Sequence, residues 1–293
     1  MNYNDDEIQF LGGEDISNSP TSAPRKPASR RWWTAVAALA IVMLAATTFY
    51  FWRQANRFTV SFEYPLSRSS AQIINDLEAM QGDSVHGITM KEDSLYGVGM
   101  RLFELRGVVP SFSRTAPSDS DTTICLAAHA WDYYWDDNKQ YRYIGDFIDN
   151  GNELASGSRK AGFVAVVGDK WQIGISTEDS VKEYVKAHNG SMFRQFALVS
   201  AGQICEKQFA LKGKVTRCAL ARKSGSGSIW YVETVSKESL YDFAQALADY
   251  GFSDAVYLTG GNSGNTFYRT PDGQPHGKLD WQDEAINLIV FRR

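Results

Sequence analysis

The chain has 293 residues, of which 43% are hydrophobic and 22% are charged, so it is long and apolar enough to form a folded core. It carries 30 Lys and Arg against 34 Asp and Glu, a formal net charge of −4. Because no basic excess is available to neutralise phosphates, this balance argues against a nucleic-acid-binding protein.

An apolar segment without charged residues lies near the N-terminus, from Trp32 to Trp52. A helix of this length spans about 30 Å, the thickness of the hydrocarbon core of a bilayer. Trp32 and Trp33 at one end, and Tyr50 and Trp52 at the other, are typical of residues at the two membrane interfaces. We therefore predict one transmembrane helix over residues 32–52, with a cleaved signal peptide as the alternative.

Basic residues flank this segment unevenly. Four precede it and two follow it closely, namely Arg25, Lys26, Arg30 and Arg31 against Arg53 and Arg57. This bias predicts a cytoplasmic N-terminus and a main domain that is periplasmic or extracellular. Residues 1–31 contain three prolines and too few apolar side chains for a core, so we expect a disordered cytoplasmic tail, with docking of a partner as the alternative.

The remaining residues, 53–293, are predicted to form one extracytoplasmic domain. Helices are expected from Ser70 to Gly82 and from Ser236 to Gly251, where apolar residues recur at helical spacing. The predicted strands, which are apolar or alternating runs bounded by turn residues, cover residues 58–64, 94–105, 122–130, 161–167, 171–175, 217–222, 229–235, 255–258 and 286–291. The fold class is therefore α+β, a mostly antiparallel sheet with few helices, preceded by one transmembrane helix.

The chain has three cysteines. Cys125 lies in an apolar, strand-like run, which is typical of a free buried thiol. Cys205 and Cys218 flank Gly213 on segments that two neighbouring strands would bring together. Their spacing is compatible with a Cys205–Cys218 disulfide and equally with two free thiols.

A glycine-rich stretch, Thr259-Gly-Gly-Asn-Ser-Gly264, follows a predicted buried strand. Glycines let main-chain N–H groups approach a ligand closely, and the neighbouring polar side chains add directed contacts. The predicted substrate-binding residues of this stretch, which suit phosphate or sugar oxygens, are Gly260, Gly261, Asn262 and Ser263. A tight structural turn is the alternative, and a nucleotide P-loop is excluded because no Lys-Ser/Thr pair follows.

A second stretch combines aromatic and acidic residues, from Leu126 to Asp137. Aromatic faces beside acids are common in sugar-binding surfaces, so Trp131 and Tyr133 are candidate substrate-binding residues. His129 is a side chain suited to proton transfer near neutral pH. The alternative is that Trp131 belongs to the core and His129 is structural. The histidines show no metal-ligand spacing, so neither a metal nor a cofactor is expected.

Three segments in order resemble the phosphodiester glycosidase family: Arg217-Cys-Ala-Leu-Ala, the helix of residues 240–250, and Gly251-Phe-Ser-Asp-Ala-Val-Tyr-Leu-Thr-Gly-Gly-Asn-Ser. That family typically shows an Arg-led strand, a helix and a strand ending in Leu-Asp-Gly-Gly-Gly-Ser. It includes the uncovering enzyme that removes N-acetylglucosamine from a phosphodiester on lysosomal mannose, and bacterial members linked to exopolysaccharide. The resemblance extends over residues 122–269, about half of the chain.

The resemblance implies a hydrolase that cleaves a sugar-1-phosphodiester, with Arg217 pairing with the phosphate and with His129 and Asp132 handling protons. The chain departs from the family at two motifs: Thr259 stands where the family has Asp, and residues 129–131 stand where it has Asn-Gly-Gly. Because threonine is neither a base nor a charged ligand, one alternative is a catalytically silent relative that binds envelope glycans or a protein partner. Another is a structural anchor that joins the tail to the envelope.

Overall fold

The computed structural model describes residues 29–55, 62–80, 85–118, 120–157, 160–206, 209, 213–261, 266–277 and 287–293. The chain divides into two units, residues 1–57 and 58–293. In the first unit, helix α1 covers Ser29–Ala55, and its segment Trp32–Phe51 is long and apolar enough to cross a membrane. The side chains of that segment are exposed, unlike those of a buried core helix. A signal sequence has the same length and composition.

The second unit contains three helices: α2 (Ser70–Ala79), α3 (Ser180–Ala187) and α4 (Leu240–Asp249). Its strands in the described residues are β1 (Gly87–Leu95), β2 (Val98–Arg106), β3 (Val109–Ser113), β4 (Ile124–His129), β5 (Tyr133–Trp135), β6 (Tyr141–Tyr143), β7 (Phe147–Asp149), β8 (Asn152–Ala155), β9 (Gly162–Val167), β10 (Lys170–Ile175), β11 (Ser191–Gln195), β12 (Ala197–Ser200), β13 (Gln203–Ile204), β14 (Thr216–Lys223), β15 (Ile229–Thr234), β16 (Phe252–Gly261), β17 (Phe267–Arg269), β18 (Pro275–His276) and β19 (Leu288–Arg292).

These strands form four sheets. The largest has the order β1-β2-β15-β14-β16-β12-β13, and two five-stranded sheets have the orders β10-β9-β11-β7-β8 and β18-β17-β4-β19-β3. β5 and β6 form a separate two-stranded hairpin. The strand pairs of the described residues are antiparallel. The predicted α+β class with a mostly antiparallel sheet is therefore confirmed.

The largest sheet is buried on both faces, which explains why its central strands are nearly continuous apolar runs. On β14, Leu220 points into the principal core, which also contains β4. Ala219 and Ala221 point to the other face, where they pack with α4 residues such as Phe243 and Leu247. Small side chains on that face let the helix lie close to the sheet. The Gly260–Gly261 end of β16 therefore belongs to a sheet that is packed on both faces.

A two-residue turn corrects the prediction of one strand over residues 94–105. Tyr96 and Gly97 have φ angles of 51° and 82°, so the chain reverses there and forms the β1–β2 hairpin. Both residues of the favoured two-residue hairpin turn require positive φ, which glycine adopts without steric cost. Residues 62–64, predicted as part of a strand, form none, and residues 58–61 lie outside the described residues.

The helix starts also differ from the prediction. Ser69, not Ser70, caps α2, because its side chain accepts a hydrogen bond from the N–H of Gln72 while the Gln72 side chain accepts one from the N–H of Ser69. Ser239, not Ser236, caps α4, because the main chain of Glu238 still pairs with Val215. Helix α3 was not predicted.

Of the two alternatives for Cys205 and Cys218, the structure has the free thiols and not the disulfide, and all three cysteines are free and buried. Cys218 lies on β14, whereas Cys205 directly follows β13, and β16 and β12 lie between those two strands. Neighbouring strands are about 4.8 Å apart, so three spacings separate the two residues by roughly 14 Å. A disulfide requires Cα atoms within about 7 Å of each other.

Candidate functional site

The structure brings the glycine-rich stretch next to the aromatic and acidic stretch. The N–H of Thr259, near the end of β16, donates to the carbonyl of Ala130, 3.0 Å away. Ala130 directly follows β4. Gly260 and Gly261 end β16, and the other two predicted residues of this loop, Asn262 and Ser263, lie outside the described residues.

The carboxylate of Asp132 contacts the side chain of Thr259. The Thr259 hydroxyl donates to Asp132 Oδ1 at 2.8 Å, and Lys160 Nζ donates to Asp132 Oδ2 at 2.6 Å. Thr259 also accepts a bond of 3.4 Å from Nε2 of the buried Gln195. We call Asp132, Lys160, Gln195 and Thr259 the Asp132 cluster. A carboxylate therefore lies beside the end of β16.

Lys160 is a site residue that sequence reasoning missed. It is 4% exposed, donates to the carbonyl of Ile144 at 3.3 Å as well as to Asp132, and places Nζ 5.1 Å from the centre of the Phe196 ring. Burial lowers the pKa of Lys160, and the Asp132 carboxylate opposes this effect. The available signal in the sequence was a lysine directly before the apolar run 161–167, a position where a strand begins and side chains become buried.

A second buried ion pair, between Arg194 and Asp146, lies next to the Asp132 cluster along the chain. Asp146 accepts from Arg194 Nε at 2.8 Å and from the N–H of Gly157 at 2.7 Å. Arg194 also donates to the carbonyl of Glu178 at 2.8 Å. Arg194 directly precedes Gln195, so this network fixes the strand that carries one member of the Asp132 cluster.

Arg217 lies on β14, the strand next to the glycine-rich end of β16. Cys218 pairs with Leu258 and Thr216 pairs with Gly261, so Arg217 lies opposite Thr259 and Gly260. Its side chain is buried, and it donates to the carbonyls of Glu238 at 3.0 Å and Gly213 at 2.7 Å.

The guanidinium of Arg217 forms no ion pair with a carboxylate of the described residues. Main-chain carbonyls accept from its Nε and Nη2 atoms but do not cancel its charge. A buried charge without a counter-charge is costly, and an anionic ligand would lower that cost.

His129 and Asp132 have different contacts. The Nδ1 atom of His129, at the end of β4, contacts Oδ1 of Asn287. Asn287 also donates to the carbonyl of Trp131 and accepts from the N–H of Ala130. Asn287 therefore holds residues 129–131 in place, while it is Asp132 that contacts Thr259 and Lys160.

Trp131 and Tyr133, both predicted to bind substrate, differ in burial. Trp131 is 1% exposed, donates from Nε1 to the hydroxyl of Tyr141 and packs edge-on against Phe147, so its ring has no open face. Tyr133 is half-buried and stacks on Tyr141, with ring centres 4.8 Å apart. Of the two aromatic rings, Tyr133 is the one that retains accessible surface beside Asp132.

A further buried carboxylate lies at the other end of the glycine-rich stretch. Glu233 on β15 accepts from the hydroxyls of Thr266 and Tyr231 and forms an ion pair of 2.8 Å with Arg101. Burial raises the pKa of Glu233. Sequence reasoning missed this residue, although a glutamate inside the apolar run 229–235 was the available signal.

No group of three or more His, Cys, Asp or Glu side chains that could hold a metal is found in the part of the chain that the structure describes. No protein-family model matches the sequence, and a search of curated proteins finds no match.

Several solved structures are partly similar to this chain. The catalytic domain of zebrafish N-acetylglucosamine-1-phosphodiester alpha-N-acetylglucosaminidase, auto-inhibited by its pro-peptide, has a TM-score of 0.49 and 13% identity, covering 70% of this chain and 82% of that chain. A hypothetical protein from Synechocystis has a TM-score of 0.47 and 13% identity, covering 70% and 62%. A protein from Burkholderia pseudomallei described as exported has a TM-score of 0.26 and 12% identity, covering 72% and 58%.

Proposed function

We propose that residues 58–293 form a phosphodiester glycosidase-type domain that cleaves a sugar-1-phosphodiester or a related envelope glycan. The observation that carries the proposal is the 2.8 Å hydrogen bond between Thr259 and Asp132. It sets a carboxylate at the strand end that leads into Gly260 and Gly261. The family motif that this segment resembles has Asp at the position of Thr259, and Asp132 supplies the missing acid from another part of the chain.

The charges around this strand end suit a phosphodiester. Cleavage of a sugar–phosphate bond needs stabilisation of the leaving phosphate and of positive charge that develops on the sugar. Lys160 is a buried cation that pairs with Asp132, and Arg217, on the strand beside β16, is a second buried cation that has no carboxylate partner among the described residues. In this proposal Arg217 is the partner of the phosphate, because a guanidinium group matches phosphate oxygens.

In this mechanism Asp132 and His129 handle the proton transfers. Asp132 is ion-paired with Lys160 and 25% exposed at its side chain, so water can reach its carboxylate. The main chain of Gly260 and Gly261, with Asn262 and Ser263, binds the substrate oxygens. Tyr133 borders the sugar.

A hydrolysis assay with a panel of sugar-1-phosphodiesters tests the proposal on the full chain in detergent. Asp132→Asn keeps the size of the side chain and removes the charge, so we expect a loss of turnover of about 100-fold or more. The matched control is Asp136→Asn, which alters a carboxylate paired with Arg142 outside the cluster and should retain activity. Absence of turnover by the wild-type chain on every substrate, or full activity of Asp132→Asn, contradicts the proposal.

The alternative is a catalytically silent relative that binds glycans or a protein partner. It is favoured by one observation. Both oxygens of the Asp132 carboxylate already accept hydrogen bonds, one from Lys160 and one from Thr259, which leaves the carboxylate fewer lone pairs with which to accept a proton. Glycan binding measured by calorimetry without any turnover in the same assay would establish this alternative.

We further infer that α1 anchors the chain in a membrane, with residues 1–31 in the cytoplasm and residues 53–293 on the periplasmic or extracellular side. The exposed apolar side chains of 32–51 and the uneven basic flanks support this topology. Extraction at alkaline pH should leave the chain in the membrane, and protease added from outside should digest the main domain but not the tail. A mature N-terminus beyond residue 52 would instead identify a cleaved signal sequence.

A further inference from the structure

Two adjoining cavities lie at the opposite end of β4 from the Asp132 cluster. The larger has a volume of about 510 Å³ and the smaller about 190 Å³, and both are lined by His86 and Arg106. Ile124, the first residue of β4, lines the smaller cavity. Because a strand rises about 3.3 Å per residue, His129 at the other end of β4 is about 17 Å away. The cavities are therefore separate from the site proposed above.

The smaller cavity is lined by cations. Arg106, Arg269 and Arg293 contribute to its wall, and none of its described lining residues is acidic. Arg269 and Arg293 donate to the carbonyls of Asp121 and Thr122 at 3.5 and 3.4 Å, contacts that hold the two guanidinium groups beside the cavity.

Both cations act on one buried thiol in the cavity wall. The charges of Arg293 and Arg269 lower the pKa of Cys125 against the larger, raising effect of burial. Arg269, at the end of β17, and Arg293, directly after β19, thus place two positive charges around one small cavity. Guanidinium groups are planar, multiple donors that match the oxygens of a phosphate.

The larger cavity has apolar and polar groups in its wall. Leu105 and Ile229 supply apolar surface, while Ser226 and Ser228, in the β14–β15 turn, and Gln172 on β10 supply hydroxyl and amide groups. A volume of about 510 Å³ lies within the usual range of small-molecule sites. Arg106 lines both cavities and forms an ion pair of 2.8 Å with Glu104, which lines the larger one.

We propose that the two cavities bind one phosphorylated sugar, with its phosphate among Arg106, Arg269 and Arg293 and its ring in the larger cavity. The proposal does not rest on the proposed hydrolysis, because no residue of the Asp132 cluster lines either cavity. It assigns to this end of the domain a second carbohydrate site that recognises a phosphate monoester.

Isothermal titration of the full chain in detergent, at constant ionic strength, tests the proposal with glucose 6-phosphate, inorganic phosphate and glucose as probes. We expect glucose 6-phosphate to bind with one equivalent per chain and more tightly than inorganic phosphate, and glucose to give no heat. Arg106→Gln removes a half-exposed side chain and should fold, and it should weaken binding about 10- to 100-fold. Arg269→Gln should have a similar effect.

Two further variants locate the binding. Arg142→Gln removes an equally exposed, ion-paired arginine on β6 and should bind as the wild type does. Asp132→Asn, in the other site, should also bind as the wild type does. The proposal is overturned if no probe binds, if both cavity variants retain wild-type affinity, if glucose 6-phosphate binds no more tightly than phosphate, or if Asp132→Asn abolishes binding.

Discussion

Lys160 and Asp132 form an ion pair in which burial is unequal. The lysine side chain is 5% exposed and the aspartate side chain 25% exposed, so the cation has lost nearly all its hydration while its partner keeps some. A charged amine in such a position depends on its carboxylate, and the carbonyl of Ile144 adds only a 3.3 Å contact. The stability of the domain should therefore depend on whether Lys160 and Asp132 are charged.

Removing the carboxylate should destabilise the domain in a pH-dependent way. Asp132→Asn leaves the Lys160 cation without its counter-charge, so we expect a loss of about 1–3 kcal/mol in the free energy of unfolding at pH 7. The pKa of Lys160 is already lowered from 10.5 and should fall further in the variant. The loss should shrink as the pH rises towards 10.5, because the neutral amine needs no counter-charge. Chemical denaturation at several pH values measures this, and an equal loss at all pH values would contradict it.

Glu233 should affect stability with the opposite pH dependence to that of a carboxylate whose pKa is lowered on folding. Its pKa is raised above 4.5 in the folded protein, so the folded state binds the proton more tightly than the unfolded state does. Its contribution to stability is therefore lost as the pH rises from 4.5 through the raised pKa.

Glu233→Gln removes this titration and keeps the side-chain size. We expect the free energy of unfolding of the variant, relative to wild type, to increase between pH 4.5 and pH 8. Glu104→Gln, which alters a carboxylate paired with Arg106 elsewhere on the sheets, is the control. A relative stability of Glu233→Gln that stays constant or falls over this range would refute the expectation.

Among the elements, α2 packs on β10 at a glycine. A Cβ atom at Gly174 would overlap the ring of Phe163 on β9, its nearest neighbour, and would lie 2.7 Å from Ile73 Cδ1 of α2. Gly174 does not have a positive φ, so the requirement for glycine comes from space and not from backbone conformation. The Phe163 ring and the Ile73 side chain of α2 therefore occupy the space that a side chain at this position would need.

Gly174→Ala should overpack this contact and destabilise the domain by about 1–3 kcal/mol. Gly99→Ala is the matched control on β2, because its Cβ would lie 3.6 Å from Val235, an ordinary contact, and should change stability by less than about 0.5 kcal/mol. Thermal unfolding of the two variants compares them directly. Equal melting temperatures would show that α2 adjusts its position without cost.

At the scale of the whole molecule, the strand order keeps the cysteines apart. Burial raises the pKa of Cys205 and of Cys218 to about 12, so both remain protonated thiols at neutral pH. They lie in two different apolar clusters.

The non-reduced chain should therefore contain three thiols that react only after unfolding. Labelling with a thiol reagent before and after denaturation, followed by mass measurement of the intact chain, gives the count. Three labels after denaturation are expected, with slow labelling of the folded protein because the thiols are buried. A single label after denaturation would show a disulfide that the strand order does not allow.

The sequence alone determined the features that depend on neighbours along the chain. Apolar runs bounded by turn residues predicted strands β9, β10, β14 and β15, and helical spacing predicted α2 and α4. The length and composition of residues 32–52 predicted a helix able to cross a membrane. These signals are local, because adjacent residues fix the periodicity and the turn conformation.

The tertiary structure decided which distant residues meet. Lys160 and Asp132 lie 28 positions apart, and Thr259 lies 127 positions after Asp132, yet all three share one cluster. The order β14-β16-β12-β13 sets Arg217 opposite Thr259 and separates Cys205 from Cys218. Strand order depends on how sheets bury their faces across the whole domain, and no local pattern along the chain encodes it.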